Sequence, residues 1–199
     1  MSWQVVSERG RNSAPTDRLP RSPWSASLTC IKAQDEDSTV IPPGFYEVRT
    51  QMDETIQTKI LEVLADNRIM TVATNRPDGW PQATTVGYVN DGLTLYFLCS
   101  PQSQKANNLA RDSRISLTID HDTSDPMTIL GLSMAAHAQP VTDPTEVAKV
   151  LFMLPRKYPD YAAFPMPKPE DTVVFRVAPK VISVLDYTKG FGHAELVTV

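Results

Sequence analysis

Cysteine is nearly absent from this sequence: Cys30 and Cys99 stand alone among 199 residues. No CxxC pair occurs, and His121, His137 and His193 are scattered along the chain. Disulfide frameworks, zinc ribbons and dithiol redox chemistry are thereby set aside, and a reduced, cytoplasmic setting is expected. An excess of one charge is also lacking. The formal net charge is -4, with no basic tract, so neither nucleic acid nor an anionic membrane is the expected partner. Long apolar runs are missing as well. No stretch reaches the roughly 20 apolar residues of a membrane helix. Glu8, Arg9 and Arg11 interrupt the N-terminal region where a secretory signal needs an apolar core.

Proline, by contrast, is plentiful, and its distribution divides the chain. Residues 1–44 mix Pro15, Pro20, Pro23, Pro42 and Pro43 with Ser, Arg and Asp, and no helical or strand period persists there. They read as a flexible N-terminal extension. Trp3, Val5, Val6 and Trp24 leave open an alternative in which part of it packs on the domain surface. Residues 45–199 are expected to form one domain, large enough to bury roughly two-thirds of its unfolded surface without a staple.

Within that domain Ile56, Ile60, Val63 and Leu64 recur at helical spacing behind Thr50 and Asp53, which resemble a capping box. The helix ends near Asn67. Strands are predicted over 68–74 and 82–89, joined by the turn Arg76-Pro77-Asp78-Gly79. Asn90-Asp91-Gly92 marks a hairpin, and Leu93, Leu95 and Phe97 alternate along a half-buried strand. A short helix over 100–112 and a strand over 114–120 follow. The strand expected over 127–141 bends at Gly131. A helix opened by Pro144 ends at Leu154–Pro155, a proline-rich loop covers 155–169, and strands at 172–177 and 181–186 precede a tail, 187–199. The tight turns exclude a parallel arrangement for the first strands. The fold class is therefore α+β, centred on an antiparallel barrel.

Chemistry concentrates where the third predicted strand passes into a helix, at Cys99-Ser100-Pro101-Gln102-Ser103-Gln104-Lys105. Ser100 suits an N-cap and Pro101 the first helical position. Free amides and the helix dipole favour an anion there, Ser103 and Gln104 add neutral donors, and Lys105 adds a full charge. A phosphate monoester fits this end. An ordinary capped surface helix has the same sequence. In the strand Gln82-Ala83-Thr84-Thr85-Val86-Gly87, alternation sends Thr84, Val86 and Tyr88 to one face and Ala83, Thr85 and Gly87 to the other. Such small residues let a flat ring approach backbone amides, although exposed Thr-rich strands are common in β proteins.

Taken in order, Gly79 to Val86, Leu95 to Ser100, Ser103 to Leu109 and Arg114 to Thr118 resemble the pyridoxamine 5'-phosphate oxidase-like, FMN-binding split-barrel family, over about residues 55–193. The resemblance implies a six-stranded antiparallel split β-barrel with short flanking helices, a homodimer, and FMN at the dimer interface. It implies that Gln82, Ala83, Thr84, Thr85 and Val86 contact the flavin, that Leu98 and Cys99 line the ribityl chain, and that Ser103, Gln104 and Lys105 take the phosphate. Thr84 and Gln104 stand where relatives often carry arginine, so two positive charges of the fuller pattern are missing. Either affinity is weaker, or Arg111 or a basic residue of a second subunit compensates.

The tail Tyr187-Thr188-Lys189-Gly190-Phe191-Gly192-His193-Ala194 lacks the Arg-Leu-His-Asp-Arg-type motif with which the oxidases proper bind their substrate's phosphate. A small-molecule substrate other than pyridoxamine phosphate is expected. Lys189, Phe191 and His193 become candidates near the ring, and His193 the candidate proton donor, since imidazole titrates near neutrality. A flavin- or haem-storing protein and a deazaflavin-dependent reductase are the alternatives. Other motifs carry less. Gly190-x-Gly192 lacks the third glycine of a dinucleotide fingerprint, Cys99 reads as a small core hydrophobe, and Asp120, His121, Asp122 and Asp125 read as a solvated acidic turn rather than a metal site.

Overall fold

Apolar residues at every second position generate most of the strands, because alternate side chains point to opposite faces of a pleated sheet. In Arg114–Asp120, for example, Ile115, Leu117 and Ile119 are buried while their neighbours are exposed. The computed structural model describes residues 46–49, 52–160 and 168–199. The expectations for residues 1–44, for Thr50 and for residues 161–167 of the proline-rich loop lie outside the described residues.

The described strands are β1 (Tyr46–Arg49), β2 (Ile69–Asn75), β3 (Pro81–Gly87), β4 (Val89–Asp91), β5 (Thr94–Cys99), β6 (Arg114–Asp120), β7 (Leu130–Pro140), β8 (Val173–Asp186) and β9 (Ala194–Thr198). Helices α1 (Glu54–Asp66), α2 (Gln104–Arg111) and α3 (Pro144–Lys157) are set between them. The strand order is β1-β9-β8-β7-β6-β2-β3, with β5 on β8 and β4 on β5. Every ladder is antiparallel except β1 with β9. Val173–Val177 pairs with β5 along the edge that Val181–Leu185 offers to β9, while β7 holds the other edge. The sheet curls until β3 lies beside β5, yet no ladder among the described residues joins them. That seam is the split of an α+β split barrel. Nine strands rather than six build it, because the sequence hides β1, β4 and β9 in segments too short to show a period.

The barrel interior is filled by Met70 and Val72 of β2, Leu95 and Phe97 of β5, Leu117 and Ile119 of β6, Leu132 and Met134 of β7, and Ile182 and Val184 of β8. Phe97 stacks on Phe175 at 5.2 Å. Ile56, Ile60 and Leu64 of α1 join the same core. Each such side chain contributes about 1.5–3 kcal/mol on leaving water. A second apolar cluster lies outside the barrel, where Val150 and Leu154 of α3 cover Val89, Tyr96 and Val174. Helix α3 is the reason β5 is buried on both faces, not the half-buried strand its alternation predicts.

Other departures have equally local causes. Asp53 caps α1, its carboxylate accepting the Ile56 amide at 2.9 Å. α3 continues through Pro155 to Lys157, one turn beyond its expected end. The missing N–H falls in the last turn, and the Tyr158 amide still reaches Leu154 O at 2.8 Å. The two strands expected around Pro179 are one strand, β8. Ala136 faces Pro179 and Ala135 faces Val181, so Lys180 is an extra residue at a bulge, where a proline is tolerated. The expected bend at Gly131 is a close approach instead: a Cβ there would lie 2.9 Å from Ile119 O. Thr128 and its two predecessors form a 3-10 turn ahead of β7, capped by Asp125. Among the described residues no helix is long and apolar enough to cross a membrane.

Candidate functional site

The chain leaves the barrel at Cys99 and reverses before it becomes helical. The Ser100 hydroxyl accepts the Gln102 amide at 3.2 Å, and Ser100 O accepts the Ser103 amide at 3.0 Å. Ser103, not Ser100, then caps α2, its hydroxyl accepting the Ala106 amide at 3.2 Å. Pro101 belongs to the turn and not to the first helical position. The correction moves the anion-facing end three residues along and makes Gln104 and Lys105 the first two helical residues. Their amides are among those a helix leaves without an internal acceptor. No described residue forms an ion pair with Lys105.

β3 is an end strand of the sheet, with one edge unpaired among the described residues. Its faces divide as the alternation predicts: Gln82, Thr84 and Val86 are partly buried, and Ala83, Thr85 and Gly87 are exposed. Val86 packs on the barrel core. The Thr84 hydroxyl is buried and has no hydrogen-bond partner, a situation that costs about 1–3 kcal/mol unless something else satisfies it. Helix and strand are tied by Asn108, which is 0% exposed. Its amide nitrogen donates to Thr74 Oγ1 at 2.9 Å and to Gln82 Oε1 at 3.2 Å, and its oxygen accepts from Gln104 Nε2 at 2.9 Å. The Gln104 side chain is thereby tethered along α2 to Asn108, while the residue stays exposed.

Leu98 and Cys99 diverge. Cys99 packs on the barrel core beside β3, whereas Leu98 faces α3. Leu98 lines a cavity of about 250 Å³ with Gly87, Leu154 and Tyr158, and another of about 240 Å³ with Val141, Val147 and Leu151. Tyr158 went unnoticed in the sequence because it falls in a stretch read as loop. Its hydroxyl accepts the Tyr88 amide at 2.7 Å, donates to Arg68 O, and lies 2.9 Å from where a Cβ on Gly87 would be. Burial pushes this hydroxyl's pKa up, against the pull of the Tyr88 backbone and Arg68.

His193 is elsewhere. Cys99 pairs with Val173 at the start of the 14-residue β8, and His193 O accepts the Asp186 amide at its end. Asn108 thus ties Gln82 of β3 to Gln104 at the start of α2, with Ser103 and Lys105 next to Gln104 in the chain, and His193 lies at the other end of β8 from Cys99. His193 Nε2 is 3.5 Å from Glu195 Oε1 and makes no hydrogen bond. Lys189 pairs with Glu195, and Phe191 is exposed, edge-on to Tyr187 at 5.5 Å. Asp186 pairs with Lys59. Burial alone would raise the Asp186 pKa, but Lys59 and the Thr188 hydroxyl hold it below its ordinary value. Glu54, Lys59, Glu62, Lys189 and Glu195 line a polar cavity of about 640 Å³ beside α1.

The opening of α2, tied through Asn108 to β3, offers an ammonium and two helix-end amides, and β3 carries the unpartnered Thr84 hydroxyl. This donor set suits an anionic group carried by a molecule with ring carbonyls. No curated protein matches this chain. A candidate pyridoxamine 5'-phosphate oxidase of Listeria innocua superposes with a TM-score of 0.55 at 20% identity, over 65% of this chain and 98% of its own. A heme binding protein of Mycobacterium smegmatis gives 0.60 at 20% identity, over 75% of this chain and 60% of its own. The heme storage protein HutZ of Vibrio cholerae gives 0.54 at 19% identity, over 61% and 88%. At such identities the likeness is one of fold. The sequence profile of the pyridoxamine 5'-phosphate oxidase family, however, matches residues 56–186, which is most of the described barrel. The chain belongs to the pyridoxamine 5'-phosphate oxidase family.

Proposed function

We propose that this protein is a homodimeric, FMN-dependent oxidoreductase acting on a small molecule other than pyridoxamine phosphate. The observation that carries the cofactor is the link through Asn108 between β3, which holds the unpartnered Thr84 hydroxyl, and the opening of α2, with the Gln104 and Lys105 amides and the Lys105 ammonium. Lys105, the helix end and the Ser103 hydroxyl would hold the phosphate, and the strand Gln82–Val86 would lie against the ring. Bound FMN supplies hydride or single-electron transfer, and the chain supplies orientation and polarity around it. Support for the dimer comes from the outer face of the sheet. In register, Ala83-Ala73-Ser116-Ala135 and Thr85-Thr71-Thr118-Ser133 make two uncharged rows across β3, β2, β6 and β7. His193, remote from the seam of its own chain, would serve the seam of the second copy.

A haem-binding role is the second reading. It is favoured by the two missing arginines at Thr84 and Gln104 and by the heme proteins among the structural relatives. One preparation decides. The full-length protein, purified and supplied with FMN, deazaflavin or haem in turn, is expected to retain FMN, identified by its absorption and by mass spectrometry after denaturation. Reduction by a nicotinamide donor and repeated reoxidation are expected to follow. Retention of haem with no flavin overturns the proposal, and FMN that never turns over reduces it to storage.

A further inference from the structure

Asn108 touches both halves of the seam. Through Gln82 it reaches β3, through Gln104 it reaches the first residue of α2, and through Thr74 it reaches β2. A carboxamide has two N–H donors and one acceptor oxygen, and an amide in such a network has its orientation dictated by its neighbours. Asn108 directs its nitrogen at Thr74 and Gln82, so Gln82 turns its oxygen inward and keeps its own NH2 group free. That group lies on the face of β3 that also carries the unpartnered Thr84 hydroxyl. Gln104 gives an N–H to the Asn108 oxygen, which anchors the residue directly before Lys105. Asn108 and Thr74 are almost fully buried, so water does not compete for the bond between them, while the bonds to Gln82 and Gln104 are partly buried.

We propose that Asn108 is the positioning residue of the cofactor cradle, holding the β3 rim and the first turn of α2 in one arrangement and presenting Gln82 as a donor. This rests on the reading that the seam binds FMN. Asn108 itself touches no ligand and acts through Gln82 and Gln104. The ligand it prepares for is one with acceptor oxygens near β3 and an anionic group at α2, so loss of Asn108 weakens the grip on both ends of FMN. In Asn108→Asp the shape is kept but the donors are lost. Gln82 must then turn its NH2 inward, and its oxygen faces the ligand.

The test uses the full-length chain and two readouts. The first is affinity for FMN and for riboflavin, in wild type, Asn108→Ala, Asn108→Asp and Asn67→Ala. Asn67 is a buried amide that closes the end of α1, bonding to Val63 O at 2.9 Å, and serves as a control for lost stability. Both Asn108 variants are expected to lose at least about tenfold in affinity for each ligand, while Asn67→Ala retains it. The second readout is hydrogen–deuterium exchange of the cofactor-free protein. Exchange is expected to rise together over 82–86 and 103–105 in Asn108→Ala, and in neither segment in Asn67→Ala. Unchanged affinity, or faster exchange confined to α2, overturns the proposal. If Asn108→Ala does not fold, the isosteric Thr74→Val, which removes one of the three bonds, is expected to raise exchange in the same two segments. A wild type that binds no flavin refutes the function, whereas the exchange result still decides whether Asn108 couples strand to helix.

Discussion

At the scale of the residue, two lysines illustrate how position decides what a charge does. Lys105 is the cation at the opening of α2, and no described residue neutralises it. Replacing it with alanine is expected to weaken FMN by one to two decades, because a charge-assisted hydrogen bond contributes about 1.5–3 kcal/mol. Riboflavin, which has no phosphate, is expected to bind both forms alike, and fluorescence titration with the two ligands makes the comparison. Lys157 is the opposite case. Its ammonium lies 3.6 Å from the centre of the Tyr88 ring and donates to Leu64 O at 2.7 Å. Burial, and secondarily the charge of Arg68, push its pKa from 10.5 down to about 8. Below that value both folded and unfolded chains carry the proton, and the cost of the buried charge is felt in full. Above it the folded chain releases the proton first, so stability rises with pH until the unfolded chain releases it too. Tyr88 and Tyr158, their hydroxyls pushed up by burial, act in the other sense above 10.0. The window is therefore between about pH 8 and pH 10. Melting temperature is expected to carry an upward contribution there that Lys157→Met abolishes. Lys105 was legible in the sequence because a lysine after a capping serine has a recognisable setting. Lys157 was not, since nothing local announces that a residue two beyond a proline is covered.

At the scale of the element, the C-terminal turn of α3 is the piece that the sequence concealed most completely. Pro155 predicts an end, yet Tyr158 fastens the turn to the backbone of Arg68 and Tyr88 on the far side of the second cluster. The partner of that hydroxyl is the open side of Gly87, where any Cβ would stand 2.9 Å from it. Gly87→Ala is expected to cost about 1–3 kcal/mol through this crowding. In a Tyr158→Phe background the same substitution is expected to cost clearly less, because the clashing oxygen is gone. A double-mutant cycle by denaturant unfolding measures the difference, and additive effects would show that the two residues do not meet. The elements with a strong period were readable: α1, β2, β3, β6 and the body of β8. The four-residue β1 and five-residue β9 were not, because their period is too short and their pairing is with distant strands. The start of α2 was misplaced by three residues. Two serines each suit a cap, and only the reversal of the chain after β5 selects the second.

At the scale of the whole molecule, the uncharged rows on the outer face of β3, β2, β6 and β7 are where a second copy is expected to dock. Ser116 is exposed in the middle of one row, between Ala73 and Ala135. Ser116→Arg places a bulky charge there without touching the barrel interior. Wild type is expected to sediment as a dimer, and Ser116→Arg as a folded monomer with weakened FMN binding. A variant that remains dimeric places the contact on another face. The sequence by itself determined the class of fold, the succession of its main strands along the chain and the family, because alternation, turns and caps are local and survive without a partner. The tertiary structure alone decided which side chains are free to act. It tethered Gln104 to Asn108, left the Thr84 hydroxyl without a partner, sent Leu98 and Cys99 to opposite faces, and set His193 at the far end of β8 from Cys99. These outcomes depend on hydrogen bonds and packing between segments far apart in the chain, which no local pattern encodes.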